Sequence, residues 1–256
     1  MKATDPASSP EHLAILTLDG WQMRIQPETG RVSAIRTNRD EQYLPTYDRH
    51  YFLNNYIHRA GQRSSDYDRI IELTRNHIAP PILDLGAGAG LFIQRLHQHG
   101  FDATGIEPST DACQLAAKHG IELINADPLT LEHTQPARFN TIFCLDVIAH
   151  IPEPSKVLNW IHEHLAPDGK LILKTPEHGP EYYRKIASLP PALAAWRTHL
   201  AHLPFQLHGW NSETIGTELK AAHFSPIQTM IIPDFVHGSR FTLSDLIHPR
   251  RILYKL

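Results

Sequence analysis

The spacing of apolar residues changes along this chain, and the change divides it. Near the start the pattern is strand-like: Leu13 to Leu18, Trp21 to Gln26 and Arg31 to Arg36. Asp19-Gly20 between the first two is a two-residue hairpin signal, and Pro27-Glu28-Thr29-Gly30 is a second turn. These runs predict a small antiparallel meander over residues 12–40, outside the main sheet, after a disordered leader at 1–11. From Asp66 the pattern turns helical. Asp66 to His77 carries Ile70, Ile71 and Leu73 on one side, and Pro80-Pro81 ends it. Short apolar runs then alternate with helical ones. Strands are expected at Ile82–Leu85, Ala103–Ile106, Ile121–Ile124, Phe139–Leu145 and Lys170–Thr175. Helices are expected at Leu91–His99, at Thr110–His119 with Ser109 as cap and Gly120 as stop, and at Pro154–Leu165. Such alternation gives a parallel sheet with right-handed crossovers, and Phe139–Leu145, almost wholly apolar, reads as its buried central strand.

After Thr175 the alternation breaks. Residues 176–209 are rich in proline and hold Tyr182, Tyr183, Trp196 and Phe205, the composition of a lid or substrate-selecting insert. A helix over Ser212–His223, capped by Asn211 or Ser212, and a strand over Ile227–Ile232 follow. Arg251–Leu256 reads as the last strand. There is no internal repeat.

The polar punctuation of the strands carries the chemistry. Gly86, Gly88 and Gly90 follow the first parallel strand and open a helix, so a ligand can lie against bare backbone at a helix N-terminus. A tight turn that needs glycine for packing alone would look the same. Glu107 ends the second strand, seventeen residues past Gly90, where a dinucleotide fold holds ribose hydroxyls. The third strand closes in Asn125-Ala126-Asp127, and the fourth delivers Leu145-Asp146 and then Ile148 to His150. The carboxyl ends of successive strands thus line one crevice.

Together these motifs resemble the class I S-adenosylmethionine-dependent methyltransferases. The matching segments are Leu83-Asp84-Leu85-Gly86-Ala87-Gly88-Ala89-Gly90, Gly105 to Ser109, Ala126-Asp127, Phe139 to Pro152, and Leu165 to Leu171. Within that superfamily the chain is most similar to the branch of ubiquinone-type O-methyltransferases and natural-product enzymes. The resemblance implies an α/β, Rossmann-like fold: a mostly parallel seven-stranded sheet with helices on both faces and an antiparallel last strand. Residues 41–256 would form this domain. It also implies S-adenosyl-L-methionine as cofactor, with S-adenosyl-L-homocysteine as product. Asp84 and the Gly86, Ala87, Gly88, Gly90 turn, with Leu91 opening the helix, would position the methionine moiety. Glu107 would hold the ribose and Asp127 would meet the adenine amino group. Pro108 and Pro128 would flank the adenine, and Leu145 and Asp146 would complete the site. Tyr47, Tyr51 and Phe52 resemble the aromatic segment that folds over the methionine end, where a ring face attracts a sulfonium. An amphipathic helix packing its tyrosines on the sheet is the alternative reading.

Bulk properties narrow this further. A length of 256 residues suits one α/β domain with additions, and 41% hydrophobic residues suffice for a full core. The formal net charge of -3 gives no electrostatic case for nucleic acid or a membrane surface. Two cysteines, Cys113 and Cys144, make no disulfide framework, and the 18 histidines are scattered. No run of about 20 apolar residues spans a membrane, so a cytoplasmic setting is expected. The meander has no cysteine and therefore cannot be a metal ribbon. It reads as a structural flap or homodimer interface, or else as a substrate-recruiting element.

Methyl transfer from a sulfonium is an in-line displacement that rests on alignment. A hydroxyl acceptor must also lose a proton, and His150, just past the fourth strand, is the candidate base, with His208 as a second candidate. In the ubiquinone-type relatives this neighbourhood reads acidic-x-x-Glu-His and can hold a divalent metal. Here Asp146 and His150 match, but Ala149 stands at the Glu position, so no metal is expected. The main reading is methylation of a small-molecule hydroxyl, with a partly apolar or aromatic acceptor. The alternatives are a C- or N-methyltransferase of a natural-product or sugar intermediate, and a non-catalytic scaffold that binds the same cofactor. A nicotinamide oxidoreductase would share the glycine turn but not Asp127 or the Asp146-to-Pro152 pattern.

Overall fold

The computed structural model describes residues 13–18, 20–37, 47–58, 60–130, 138–193, 200–203, 205–225, 228–232 and 251–255. The expectations for the leader at 1–11 and for Trp196 lie outside these residues. Two sheets organise what is described. The larger has the order β10-β11-β8-β7-β4-β5-β6. Five of its strands run parallel: β8 (Leu165–Pro176), β7 (Phe139–Leu145), β4 (Ile82–Leu85), β5 (Thr104–Glu107) and β6 (Ile124–Asn125). At one edge β11 (Arg251–Lys255) pairs antiparallel with β8, and β10 (Gln228–Ile232) pairs antiparallel with β11. The Rossmann-like arrangement is therefore present, and Arg251–Lys255 is the antiparallel strand.

Alternation within the parallel strands explains why both faces are covered. Leu83, Leu85, Ile142, Cys144, Leu171 and Leu173 join one core with helices α5 (Pro154–His164) and α7 (Ser212–Ala221). Ile82, Phe143 and Ile172 face the other way, onto α2 (Ala60–Thr74) and α3 (Leu91–Gln98). A strand buried on both faces cannot show a polar side, which is why these runs are continuously apolar.

Three predicted boundaries shift. The third parallel strand is expected at Ile121–Ile124 and is found at Ile124–Asn125. Ile121 instead packs beneath the glycine turn with Ala87, Ile93 and Ala116, which removes it from the ladder. The strand expected at Lys170–Thr175 begins at Leu165 instead, so that Pro167-Asp168-Gly169 is absorbed into β8. Asp168 takes φ +64°, the register to β7 slips between Phe139 and Thr141, and a side chain at Gly169 would meet two carbonyl oxygens at 2.9 Å. The helix expected from Asp66 starts at Ala60. Elsewhere the caps are where the residues place them: Ser109 accepts from the Ala112 N–H, and Asn211 forms a capping box with Thr214.

The smaller sheet has the order β1-β2-β3-β9: β1 (Leu13–Leu18), β2 (Trp21–Ile25), β3 (Val32–Arg36) and β9 (His208–Gly209). The first three are the expected meander. The fourth comes from the end of the 176–209 insert and pairs with Val32 and Ser33. Leu16, Leu18, Trp21, Met23 and Val32 share one core with Tyr182, Tyr183 and Ile186 of α6 (Pro180–Ala187) and with Leu203 and Leu207. Meander and insert are thus one layer with its own apolar interior, not two separate additions. Their exposed spacing in sequence hides this, because neither segment names its partner.

Candidate active site

The parallel strands end on one crevice, and β4 delivers its centre. Gly86, Gly88 and Gly90 all adopt positive φ (+75°, +55° and +77°), a region closed to most side chains. Their reasons differ. At Gly90 a Cβ would strike Ile121 at 2.9 Å, so this glycine serves helix packing. At Gly88 a Cβ would meet the Tyr56 ring at 3.0 Å, so the turn is covered by an aromatic from the preceding segment.

Glu107, 6% exposed, accepts the Gly88 N–H at 2.8 Å with one carboxylate oxygen and the Ser109 N–H at 2.9 Å with the other. It joins the glycine turn to the start of α4 (Thr110–Lys118). Burial raises its pKa, and the two N–H donors work against that rise. A carboxylate offers about four lone-pair positions, so each oxygen can accept once more, as a vicinal diol requires. Asp84 lies below it, 3% exposed, and its pKa is pushed up to about 8 by burial and by the charge of Glu107. An acid raised in this way is stabilising while protonated, at low pH, and that contribution is lost as pH rises through about 8. Asp84→Asn removes the liability. We expect the variant to lose less stability than the native chain between pH 5 and pH 8.5, by about 1.4 kcal/mol for each pH unit in which the native group would be charged only when unfolded. Urea midpoints at the two pH values check it, and equal pH dependence in both proteins would refute the assignment.

At the end of β6, Asp127 accepts the Leu129 N–H at 2.9 Å, and Ile124 and Leu129 are the exposed large apolar side chains among the described residues. Pro108 is exposed and Pro128 half-buried beside them. An acceptor flanked by exposed apolar surface fits a purine edge. On the other side of the crevice Leu145 is half-buried and Asp146 takes φ +59°, a strained conformation for a residue with a side chain. Asp146 Oδ2 meets Lys174 Nζ at 2.5 Å, and the Asp146 N–H donates to the Lys174 carbonyl at 2.8 Å. Lys174 is 8% exposed. Sequence reasoning missed it. Its signal is one cation ending the run Leu171-Ile172-Leu173.

The roof is aromatic. Tyr47 and Tyr51 are 5.0 Å apart, Tyr51 stacks on Phe205 at 5.4 Å, and Tyr47 stands edge-on to His150 at 6.2 Å. Ser109 Oγ donates to the Tyr47 carbonyl, and the Arg49 N–H donates to Asp111, so the segment is tied to α4. The chain then makes one π-helical turn at Leu53–Ile57, a form often found at functional sites. Its Asn55 carbonyl accepts from Arg63 Nε at 2.6 Å, and the guanidinium lies 4.2 Å over the Tyr56 ring. The approach segment is therefore both an aromatic cover and a helical packing element.

His150 ends a 3-10 turn (Ile148–His150) after β7, and its Nδ1 lies 2.8 Å from the Phe205 carbonyl. A carbonyl can only accept, so Nδ1 carries a proton. His208 behaves otherwise. It is 6% exposed, Nδ1 lies 3.0 Å from Ser33 Oγ, and Nε2 lies 3.2 Å from the Pro152 carbonyl. Burial and the charge of Arg31 lower its pKa to about 4. Both nitrogens are spent on joining β9 to β3 and to the loop after His150, so His208 is a strut and not the second base expected from sequence.

Comparison with known proteins names this arrangement. The family profile described as a methyltransferase domain matches residues 46–228. The chain belongs to the class I S-adenosylmethionine-dependent methyltransferases. Among curated relatives, the ubiquinone biosynthesis O-methyltransferase of Psychrobacter arcticus is 26% identical over 133 residues, 49% of this chain and 51% of that protein. The enzyme of the same name from Haemophilus ducreyi is 27% identical over 168 residues, 57% of this chain and 70% of that one. The chain spans between about half and two thirds of the length of several curated relatives it matches. Among solved structures, a SAM-dependent methyltransferase from Archaeoglobus fulgidus aligns with a TM-score of 0.57 at 12% identity, covering 81% of this chain and 99% of that one. At that identity the likeness concerns the fold. Among the described residues no helix of this methyltransferase is long and apolar enough to cross a membrane, and no group of three metal-ligating side chains is gathered.

Proposed function

We propose that this methyltransferase transfers a methyl group from S-adenosylmethionine to a hydroxyl oxygen of a small molecule, with His150 as general base. The observation that carries the reading is the joint placement of Glu107, Asp84 and the Gly86–Gly90 turn on one side of the crevice and of His150, fixed by the Phe205 carbonyl, on the other. When bound, the cofactor supplies an electrophilic methyl on a sulfonium whose thioether leaves without an acid. Glu107 would hold the ribose hydroxyls, Asp127 the adenine amino group, and the glycine turn with Asp84 the methionine end. Tyr47, Tyr51 and Phe205 exclude water above the acceptor and present ring faces to it. The acceptor's O–H proton passes to His150 Nε2 while its oxygen takes the methyl group. The curated relatives, named as O-methyltransferases, support oxygen as the acceptor atom.

Two measurements test this. Calorimetric titration should show about micromolar binding of S-adenosylmethionine and S-adenosylhomocysteine and none of NAD. A folded sample that binds neither sulfur ligand would end the methyltransferase reading. With phenols and catechols screened as acceptors, His150→Gln should keep homocysteine-product affinity and lower kcat by about 10²–10⁴. Unchanged kcat would remove His150 as the base.

A further inference from the structure

Resting on the methyltransferase reading, we propose that Lys174, anchored by Asp146, is the residue that grips the acceptor's reacting oxygen, and that this oxygen belongs to a phenol-class hydroxyl. Lys174 pairs in register with Leu145 and so stands at the carboxyl edge of the sheet, where the crevice lies. It shares the face of Ile172, beneath α2, and not that of Leu171 and Leu173. The titratable groups that feel the charge of its partner Asp146 include Arg63, Tyr51, Tyr56, Tyr67 and Cys144. Tyr51 in turn stacks on Phe205, whose carbonyl fixes His150, so one series of neighbours runs from the Lys174–Asp146 pair towards the proposed base.

Stability does not explain this lysine. A buried ion pair is often replaced by apolar residues at no loss, and the neighbours in β8 are apolar. Asp146 is moreover held in a strained backbone conformation by its bond to the Lys174 carbonyl. The pair is built, and its position is that of a charge needed by the reaction. Asp146 is occupied by an ammonium and Ala149 brings no ligand, so the positive charge beside the acceptor is the chain's own. An ammonium has three N–H donors, and Asp146 Oδ2 fixes its position through one of them. As the acceptor's O–H bond breaks, its proton goes to His150 Nε2. The developing oxyanion lies against Lys174, and its electron pair forms the new bond to the methyl carbon as the carbon–sulfur bond breaks onto sulfur. A hydroxyl of pKa near 10, as in phenols, is closer to the reach of one lysine and one imidazole than an aliphatic alcohol close to water at 15.7. The rings of Tyr47, Tyr51 and Phe205 suit the same class.

The test uses 4-nitrocatechol, whose ionisation is visible by absorbance, added to the full chain saturated with S-adenosylhomocysteine. Native protein should bind the probe with its first pKa lowered by about one unit or more, in EDTA as in magnesium. Lys174→Met should lose that shift and bind the probe about tenfold or more weakly, with S-adenosylhomocysteine affinity unchanged. Lys174→Arg, which keeps the cation, should retain most of the shift. Lys174→Gln, with a polar partner left for Asp146, replaces the Met variant should that one fail to fold. The proposal is overturned by an undiminished shift in the Met or Gln variant, by a shift that needs magnesium, or by no probe binding to the loaded native protein. Absence of S-adenosylhomocysteine binding would instead be a failure of the methyltransferase reading.

Discussion

Glu107→Ala should weaken binding of S-adenosylhomocysteine by about 10²–10⁴, which is beyond detection at ordinary calorimetric concentrations. Hydrogen bonds to a charged group contribute about 1.5–3 kcal/mol each, and two ribose hydroxyls on one buried carboxylate give the stated range. The low exposure of Glu107 strengthens both. There is a second contribution. The same carboxylate holds the Gly88 N–H and the Ser109 N–H, so its removal also loosens the turn that the methionine end would rest on. The two effects separate by ligand. Glu107→Gln still accepts one backbone N–H and should be intermediate. 5′-Methylthioadenosine, which has the ribose but no amino-acid end, should lose as much affinity as S-adenosylhomocysteine if ribose contact dominates. Native-like affinity in Glu107→Ala would mean that the ribose is held elsewhere.

How much of this was legible beforehand follows from the range of each interaction. The cap at Ser109 rests on neighbours within a few residues, and the glycine turn and Glu107 stand at a fixed spacing at the ends of successive strands, so the pattern announces them. The parallel strands were legible because burial on both faces leaves a continuous apolar run. The third strand slipped by three residues because Ile121 could satisfy its burial beneath Ala87 and Ala116 as well as in a ladder. Lys174 was not legible, since its partner Asp146 is 28 residues away and only the β7–β8 register brings them together. His208 misled for the converse reason. A histidine beside Gly209-Trp210 has the right chemistry, and nothing local shows that Ser33, 175 residues earlier, engages its ring. The return of β9 onto β3 is also the reason the meander and the insert looked separate.

That shared layer must be held to the catalytic sheet, and Trp210 holds it. Trp210 follows β9, bridges Glu177 at the end of β8, and is fully buried in the main core with Ile215 and Leu219 of α7. Its Nε1 faces Glu218, which also accepts from Arg31 of the small sheet at 2.8 Å and from Ser155 of α5 at 2.8 Å. One buried carboxylate therefore gathers three elements around the indole. Gly209 beside it admits no side chain, since a Cβ would lie 2.2 Å from the His178 carbonyl, so the chain cannot shift to fill a space left there. Trp210→Ala should accordingly cost about 3–5 kcal/mol, as for large core truncations that do not collapse. At roughly 2–4 °C per kcal/mol for a chain of this size, thermal unfolding should fall by about 6–20 °C. Trp210→Phe, which fills most of the volume and loses only the N–H, should fall by less than half as much. Because Glu107 and the glycine turn are built on β4 and β5, both variants should still bind S-adenosylhomocysteine near native affinity below their unfolding temperature. The insert that carries Phe205 is loosened in each, so kcat should drop more than cofactor affinity. A shift of only a degree or two in Trp210→Ala would show that the layer is anchored by other contacts.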